Sequence, residues 1–146
     1  MTTMNIYMTF NGNCEEAFLF YESVFTGSKA DIKKFKDMPD NSERTLSDEE
    51  KEQVMHVTLP INKSTVLMGS DTGSAWSANF KQGNNISISV NVDSREEADN
   101  LFKSLSKGGK VLMPMADTFW ESYFGMLTDQ FGIQWMVSFD EPTRKK

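Results

Sequence analysis

One cysteine and one histidine in 146 residues leave little of the reactive chemistry a domain of this size could carry. With Cys14 alone, no disulfide can close within the chain, so the fold must rest on its own core, as suits a reducing compartment. With His56 alone, no pair of imidazoles can share a metal ion. Apolar runs are short as well. None approaches the roughly 20 residues that cross a bilayer, and Met1-Thr2-Thr3-Met4-Asn5 places no basic region ahead of an apolar one. A cytoplasmic protein without membrane contact is expected. Positive charge is scarce too: 15 Lys and Arg against 21 Asp and Glu give a net charge of −6 and a pI near 4.8. Nucleic acid is therefore not an expected partner, because a phosphate backbone is held by clustered cations. The one basic cluster, Arg144-Lys145-Lys146, reads as a frayed, solvated tail.

What is present is a repeat. Glu15-Glu16-Ala17 returns as Glu96-Glu97-Ala98, 81 positions on (96 less 15), and the same offset carries Phe20-Tyr21 onto Leu101-Phe102, Val24 onto Leu105, Gly27 onto Gly108 and Lys29 onto Lys110. One supersecondary unit is used twice. The expected fold is α+β: two βαβββ modules forming a curved mixed sheet around a cleft, the usual place for a small molecule. The organisation is a single domain over 1–146, with module one about 1–72, a linker about 73–84, module two about 85–140 and a tail 141–146. At this length roughly 70% of the unfolded surface can be buried, enough for a continuous core.

Alternation predicts a first strand over 5–10, and Asn11-Gly12-Asn13 then turns the chain into a helix. Asn13 at the N-cap and Glu16 three positions on make a capping box, and Cys14, Ala17, Phe18, Tyr21, Val24 and Phe25 form one apolar stripe ended by Gly27. Ser94 and Glu97 repeat the box, Ala98, Leu101, Phe102 and Leu105 the stripe, and Gly108-Gly109 the stop. Further strands are expected over 31–36, 54–61, 65–70, 86–92, 110–115, 120–128 and 134–139. Residues 37–53 are acidic and poor in apolar side chains, which predicts an exposed loop with a short helix from Ser47. Residues 71–84 should be irregular, with Trp76 and Phe80 as buried-type aromatics. Asp129-Gln130-Phe131-Gly132 has the residue order of a type I turn, so the last two strands should form a hairpin.

Asn11-Gly12-Asn13-Cys14-Glu15-Glu16-Ala17, Met68-Gly69-Ser70-Asp71, Gly83-Asn84-Asn85-Ile86-Ser87, Asp117-Thr118-Phe119-Trp120 with Tyr123-Phe124-Gly125, and Phe131-Gly132-Ile133-Gln134-Trp135 run in order along the chain. Together they resemble the PhnB-like, or 3-demethylubiquinone methyltransferase-like, branch of the vicinal oxygen chelate superfamily, which includes glyoxalase I, extradiol dioxygenases and bleomycin-resistance proteins. The resemblance implies paired βαβββ modules, in agreement with the repeat. It also implies a divalent metal held by His and Glu on cleft-lining strands. Carried over, those positions fall on Ile6 or Tyr7, on Met68, on Asn85 and on Met136, none of which is an imidazole or a carboxylate. A thioether or amide is a weak substitute for such a donor. No metal and no cofactor are expected.

His56 stands in Met55-His56-Val57-Thr58-Leu59, where alternation puts it with Thr58 opposite the apolar residues. It is a satisfied, half-buried imidazole or, as the one catalytic candidate, a proton carrier. Cys14 belongs to the apolar stripe, so it reads as a small buried hydrophobe rather than a nucleophile. In the fifth strand Ile86, Ile88 and Val90 should pack under the helix, with Asn85, Ser87 and Ser89 on the other face. In the last strand Ile133, Trp135 and Val137 oppose Gln134, Met136 and Ser138. With Trp120, Phe124 and Met126 sharing a face, the expected ligand residues are Asn85, Ser87, Trp120, Phe124, Gln134 and Met136, lining a polar but uncharged cleft for a neutral ring or acyl group. The same surface could instead be a dimer interface or a water-filled groove, and a homodimer is expected from the aromatics Trp76, Phe80 and Trp120.

Two function classes follow. One is a metal-independent small-molecule-binding protein similar to bleomycin-resistance proteins. The other is a glyoxalase-type lyase or isomerase, or a dioxygenase-like enzyme, holding its metal through His56, Asp71, Asp117 or Glu121. A methyltransferase, as the branch name suggests, would need a glycine-rich strand-to-helix turn, and neither Asn11-Gly12-Asn13 nor Lys107-Gly108-Gly109 is one.

Overall fold

The computed structural model describes residues 2–38, 46–73 and 77–141. The chain divides into two compact units, Met1–Lys81 and Gln82–Lys146. Each is one βαβββ module. The first runs β1 Ile6–Phe10, α1 Cys14–Val24, β2 Asp31–Lys34, a 3-10 turn Phe35–Asp37, α2 Asp48–Glu52, β3 Val54–Pro60 and β4 Val66–Asp71; the second runs β5 Ile88–Asn91, α3 Arg95–Ser106, β6 Lys110–Asp117, β7 Ser122–Thr128 and β8 Gln134–Asp140. Both sheets are open, mixed and four-stranded, in the orders β1-β4-β3-β2 and β5-β8-β7-β6. In each, the first and last strands of the module pair in parallel and the other pairs are antiparallel.

The apolar stripe of α1 packs as its spacing requires. Cys14, Ala17, Phe18 and Tyr21 are fully buried, and Phe18 meets Phe10 and Tyr21 edge to face at centroid distances of 6.2 and 5.6 Å. Gly69 in β4 makes room for that ring. A Cβ there would lie 2.7 Å from both Phe18 Cε1 and the Met8 carbonyl oxygen. Ala98, Phe102 and Leu105 bury the matching face of α3, and both helices are followed by a glycine in left-handed backbone, Gly27 at φ 108° and Gly108 at φ 75°.

The helix starts differ from the capping boxes expected. Asn13 is the N-cap of α1, yet its side chain caps nothing. Asp71, at the end of β4 rather than at the start of an irregular linker, does this work: Oδ1 accepts from the N–H groups of Gly12 (2.9 Å) and Cys14 (3.0 Å), and Oδ2 from Val54 N–H (2.8 Å). One carboxylate thereby ties the turn before α1 and the first residue of β3 to β4. A carboxylate brought 58 positions (71 less 13) along the chain outcompetes the local amide because an anion is the stronger acceptor at a helix start. In α3, Ser94 Oγ does accept from Glu97 N–H at 3.0 Å, but the Glu97 carboxylate accepts from Asp93 N–H at 3.1 Å, one residue earlier than a full box requires. The box at Ser47 and Glu50 is complete and starts α2. Of the acidic loop, residues 39–45 lie outside the described residues, as does Trp76 of the stretch 71–84.

Three strand readings are corrected. Val54 and Val57 are both fully buried, three positions apart, and the β2–β3 register shifts between Lys33 and Lys34. Met55 is therefore the extra residue of a bulge and leaves the apolar face it was expected to share with Val57 and Leu59. Strand β5 begins at Ile88, so Asn85, Ile86 and Ser87 precede it, and Ile86 is 80% exposed instead of lying under the helix. Strand β7 begins at Ser122, because Glu121 takes left-handed backbone (φ 64°) that breaks the extended run before it. The loop is closed by Thr118, whose hydroxyl donates to the Ser122 carbonyl at 2.7 Å. The turn at 129–132 forms as read, with Gly132 N–H donating to the Asp129 carbonyl at 2.9 Å.

Candidate functional site

Residues directly opposite one another across paired strands share a face, so the register itself composes the two open faces. On the first sheet, Tyr7 pairs with Met68, Met68 with Thr58, and Thr9 with Ser70. The His56 ring stacks on Tyr7 at 5.8 Å between centroids and makes no hydrogen bond to another described residue. On the second sheet, Met113, Met126, Met136 and Ser89 follow one another across β6, β7, β8 and β5, with Ala116, Phe124, Ser138 and Asn91 as the next row. Thr128 and Gln134 pair one step further toward the hairpin turn. This second face is apolar at its centre, with Lys110 opposite Thr128 at one end and Asp140, 3.5 Å from Asn91, at the other, so it is not uncharged as expected.

Of the six expected ligand residues, the structure brings four into one neighbourhood. Phe124, Met136 and Gln134 lie on the open face, and Trp120, although outside β7, sets its ring 6.1 Å from Phe124 in an edge-on contact and 4.9 Å from Phe119. Trp120 is 42% exposed and so is not a core tryptophan. The buried Gln134 Nε2 has no hydrogen-bond partner, while Asn91 and Ser138 satisfy one another at 3.1 Å. Asn85 and Ser87 stand ahead of β5 and outside the paired rows. Ser89, expected on the same face as Asn85 and Ser87, does pair with Met136, and Asn91 follows it opposite Ser138, because the strand begins two residues later than alternation implied. Met113 and Met126 were missed as a row, although the turn at 129–132 fixes Thr128 opposite Gln134, from which Met126 opposite Met136 follows.

The register also corrects the metal positions. Tyr7 opposite Met68 in the first sheet corresponds to Ser89 opposite Met136 in the second, so the fifth-strand position is Ser89 and not Asn85. Neither set supplies an imidazole or a carboxylate, and these residues do not fit a divalent ion. Two of the three candidate acids, Asp71 and Asp117, are otherwise engaged. Both Asp71 oxygens accept main-chain N–H bonds, and Asp117 pairs with Arg95, which also reaches Glu141 at 2.8 Å and lies 4.3 Å over the Tyr123 ring. The Asp117 hydrogen bond, followed by that of Glu141, raises the Arg95 pKa. Tyr123 donates to Asp99 at 2.6 Å, which raises its phenol pKa. Among the described residues no group of three or more His, Cys, Asp or Glu side chains is placed to hold a metal. Cys14 is wholly buried, and burial, then the charges of Asp71 and Glu15, push its thiol up and away from the reactive thiolate.

This fold, two βαβββ modules with open mixed sheets, is that of the glyoxalase and bleomycin-resistance proteins. A glyoxalase/bleomycin resistance protein/dioxygenase family enzyme from Burkholderia phytofirmans superposes with a TM-score of 0.60 over 95% of this chain and 97% of its own, at 16% identity. Closer in sequence are protein PA1353 from Pseudomonas aeruginosa, 39% identical with a TM-score of 0.82 over 96% of this chain and 98% of that one, and the PhnB protein of Bacillus cereus, 27% identical with a TM-score of 0.73 over 94% and 99%. The chain belongs to the 3-demethylubiquinone-9 3-methyltransferase family, whose model matches residues 2–138.

Proposed function

We propose that this protein binds a small molecule without a metal, holding a neutral ring or acyl group against the open face of its second sheet. The observation that carries the reading is the row Met113, Met126 and Met136, flanked by Phe124 and Trp120, in which Met136 is the one position carried over from the metal-holding enzymes. Thioethers and aromatic rings give a polarisable, adaptable wall for an apolar ligand, and sequestration needs shape and stacking but no reactive group. Gln134, whose buried Nε2 has no hydrogen-bond partner among the described residues, can turn that donor toward a ligand oxygen, and Ser89 opposite Met136 adds a hydroxyl. The methyl transfer named in the family description finds no support in the strand-to-helix turns. The Asn11-Gly12-Asn13 turn gives its Gly12 N–H to Asp71 and holds no second glycine to let the backbone approach a nucleoside-bearing methyl donor closely.

Trp120→Ala tests the site. With a neutral fluorescent ring such as N-phenyl-1-naphthylamine as probe, affinity should fall by about 1 to 3 kcal/mol through lost burial and stacking. The melting temperature should hardly move, since the ring is already 42% exposed. Unchanged affinity in the stable variant, or collapse of the fold, would remove Trp120 from the site.

A further inference from the structure

The first unit holds a cavity of its own, about 380 Å³, at the end of β1 and β4, lined by Thr9, Ser70, Asp71, Thr72, Asn79 and Phe80. That volume is at the lower end of small-molecule pockets, which run roughly 300–1,000 Å³. Its chemistry differs from that of the methionine face. Thr9 and Ser70 are register partners on the open face of the first sheet, so two hydroxyls stand side by side. Neither they nor the Asn79 amide bond to another described residue. Thr72 donates its hydroxyl hydrogen to Asn11 Oδ1 at 2.9 Å and keeps lone pairs to accept with. Phe80 adds a half-buried aromatic wall.

We infer that this cavity is a binding site for a compact, uncharged, polyhydroxylated ring. Hydroxyl groups turn to donate or accept as needed, so a lining of three of them and an amide matches ligand hydroxyls better than the fixed acceptors of an acid. No cation among the described residues lines the cavity. An anion would enter unpaired beside the Asp71 carboxylate, in a chain of net charge −6, at the cost of its own desolvation. A metal ion finds no open carboxylate ligand here, because both Asp71 oxygens already accept from the N–H groups of Gly12, Cys14 and Val54. An aromatic wall against hydroxyls and an amide suits a ring with an apolar C–H face and polar edges. The described lining belongs wholly to the first unit, so this inference and the second-sheet reading can each fail without the other.

The probes are methyl glucoside and, as its ring-matched anion, methyl glucuronoside, titrated into the full chain with backbone amide NMR as the readout. Methyl glucoside should shift the amides of Thr9, Ser70 and Asn79 in a saturable way, and methyl glucuronoside should bind roughly tenfold or more weakly. Phe80→Ala should weaken methyl glucoside by roughly tenfold and Thr9→Val by a smaller factor, while both leave binding of N-phenyl-1-naphthylamine unchanged. Should Phe80→Ala fail to fold, Thr9→Val, which keeps the side-chain shape, carries the test. No saturable shift at these amides with millimolar methyl glucoside, equal binding of the anion, or full affinity in a folded Phe80→Ala or Thr9→Val protein would overturn the inference.

Discussion

Asp71→Ala is expected to remove about 3 to 5 kcal/mol of stability, a large share of what holds a domain of this size together. Asp71 is only 5% exposed, and its two oxygens accept from the N–H groups of Gly12, Cys14 and Val54. Alanine leaves three main-chain donors unpaired in a largely buried place, and each hydrogen bond to a charged group contributes roughly 1.5–3 kcal/mol without being additive. Asp71→Asn, which keeps one acceptor oxygen, should lose about half as much. Guanidinium unfolding of the two variants measures both. A loss under about 1 kcal/mol for Asp71→Ala would mean that water satisfies these donors as well as the carboxylate does.

A second large effect is expected at Trp135, the biggest side chain in the buried core. It is 1% exposed, pairs with Ile88 and Leu127 on neighbouring strands, and donates its indole N–H to Asp129 Oδ2 at 2.8 Å. Trp135→Ala should cost about 3 to 5 kcal/mol, from the lost burial and from the cavity left behind. Asp129 itself stays anchored, since its Oδ1 accepts from Phe131 and Ile133 N–H at 2.8 and 3.0 Å. The hairpin turn should therefore persist while the face under α3 loosens, seen as a lower melting temperature with retained amide protection at Gly132. Loss of that protection would show that the indole bond, and not the turn, holds the carboxylate.

The parts of the fold legible in the sequence are those decided within a few residues. The repeat of Glu15-Glu16-Ala17 at Glu96-Glu97-Ala98 sets two modules, the spacing of Phe18 and Tyr21 or of Phe102 and Leu105 sets the buried helix faces, and Ser47 marks the start of α2. What was not legible depends on partners distant in the chain. Asn13 has the composition of a cap but loses the role to Asp71, which only the β1–β4 pairing brings to the helix start. The bulge at Met55 interrupts an otherwise regular alternation, because Val54 and Val57 are both held in the core. Glu121 in left-handed backbone shortens β7, a cost no side-chain pattern advertises.

The candidate site divides in the same way. Phe124, Gln134 and Met136 share a face as hairpin alternation implies, whereas Asn85 stands ahead of a strand that begins later, at Ile88. Trp120 meets Phe124 from a loop and not from the shared strand face that pointed to it. The methionine row across β6, β7 and β8 is a property of three strands together.

Metal content tests the central proposal most directly. Protein purified from medium supplemented with zinc, nickel, iron and manganese, dialysed extensively and measured by plasma mass spectrometry, should retain each metal at well below one equivalent per chain. Tyr7, Met68, Ser89 and Met136 offer no imidazole or carboxylate to hold one. Near-equimolar retention of any one of them, lost on chelation together with binding of N-phenyl-1-naphthylamine, would contradict a metal-independent binding protein.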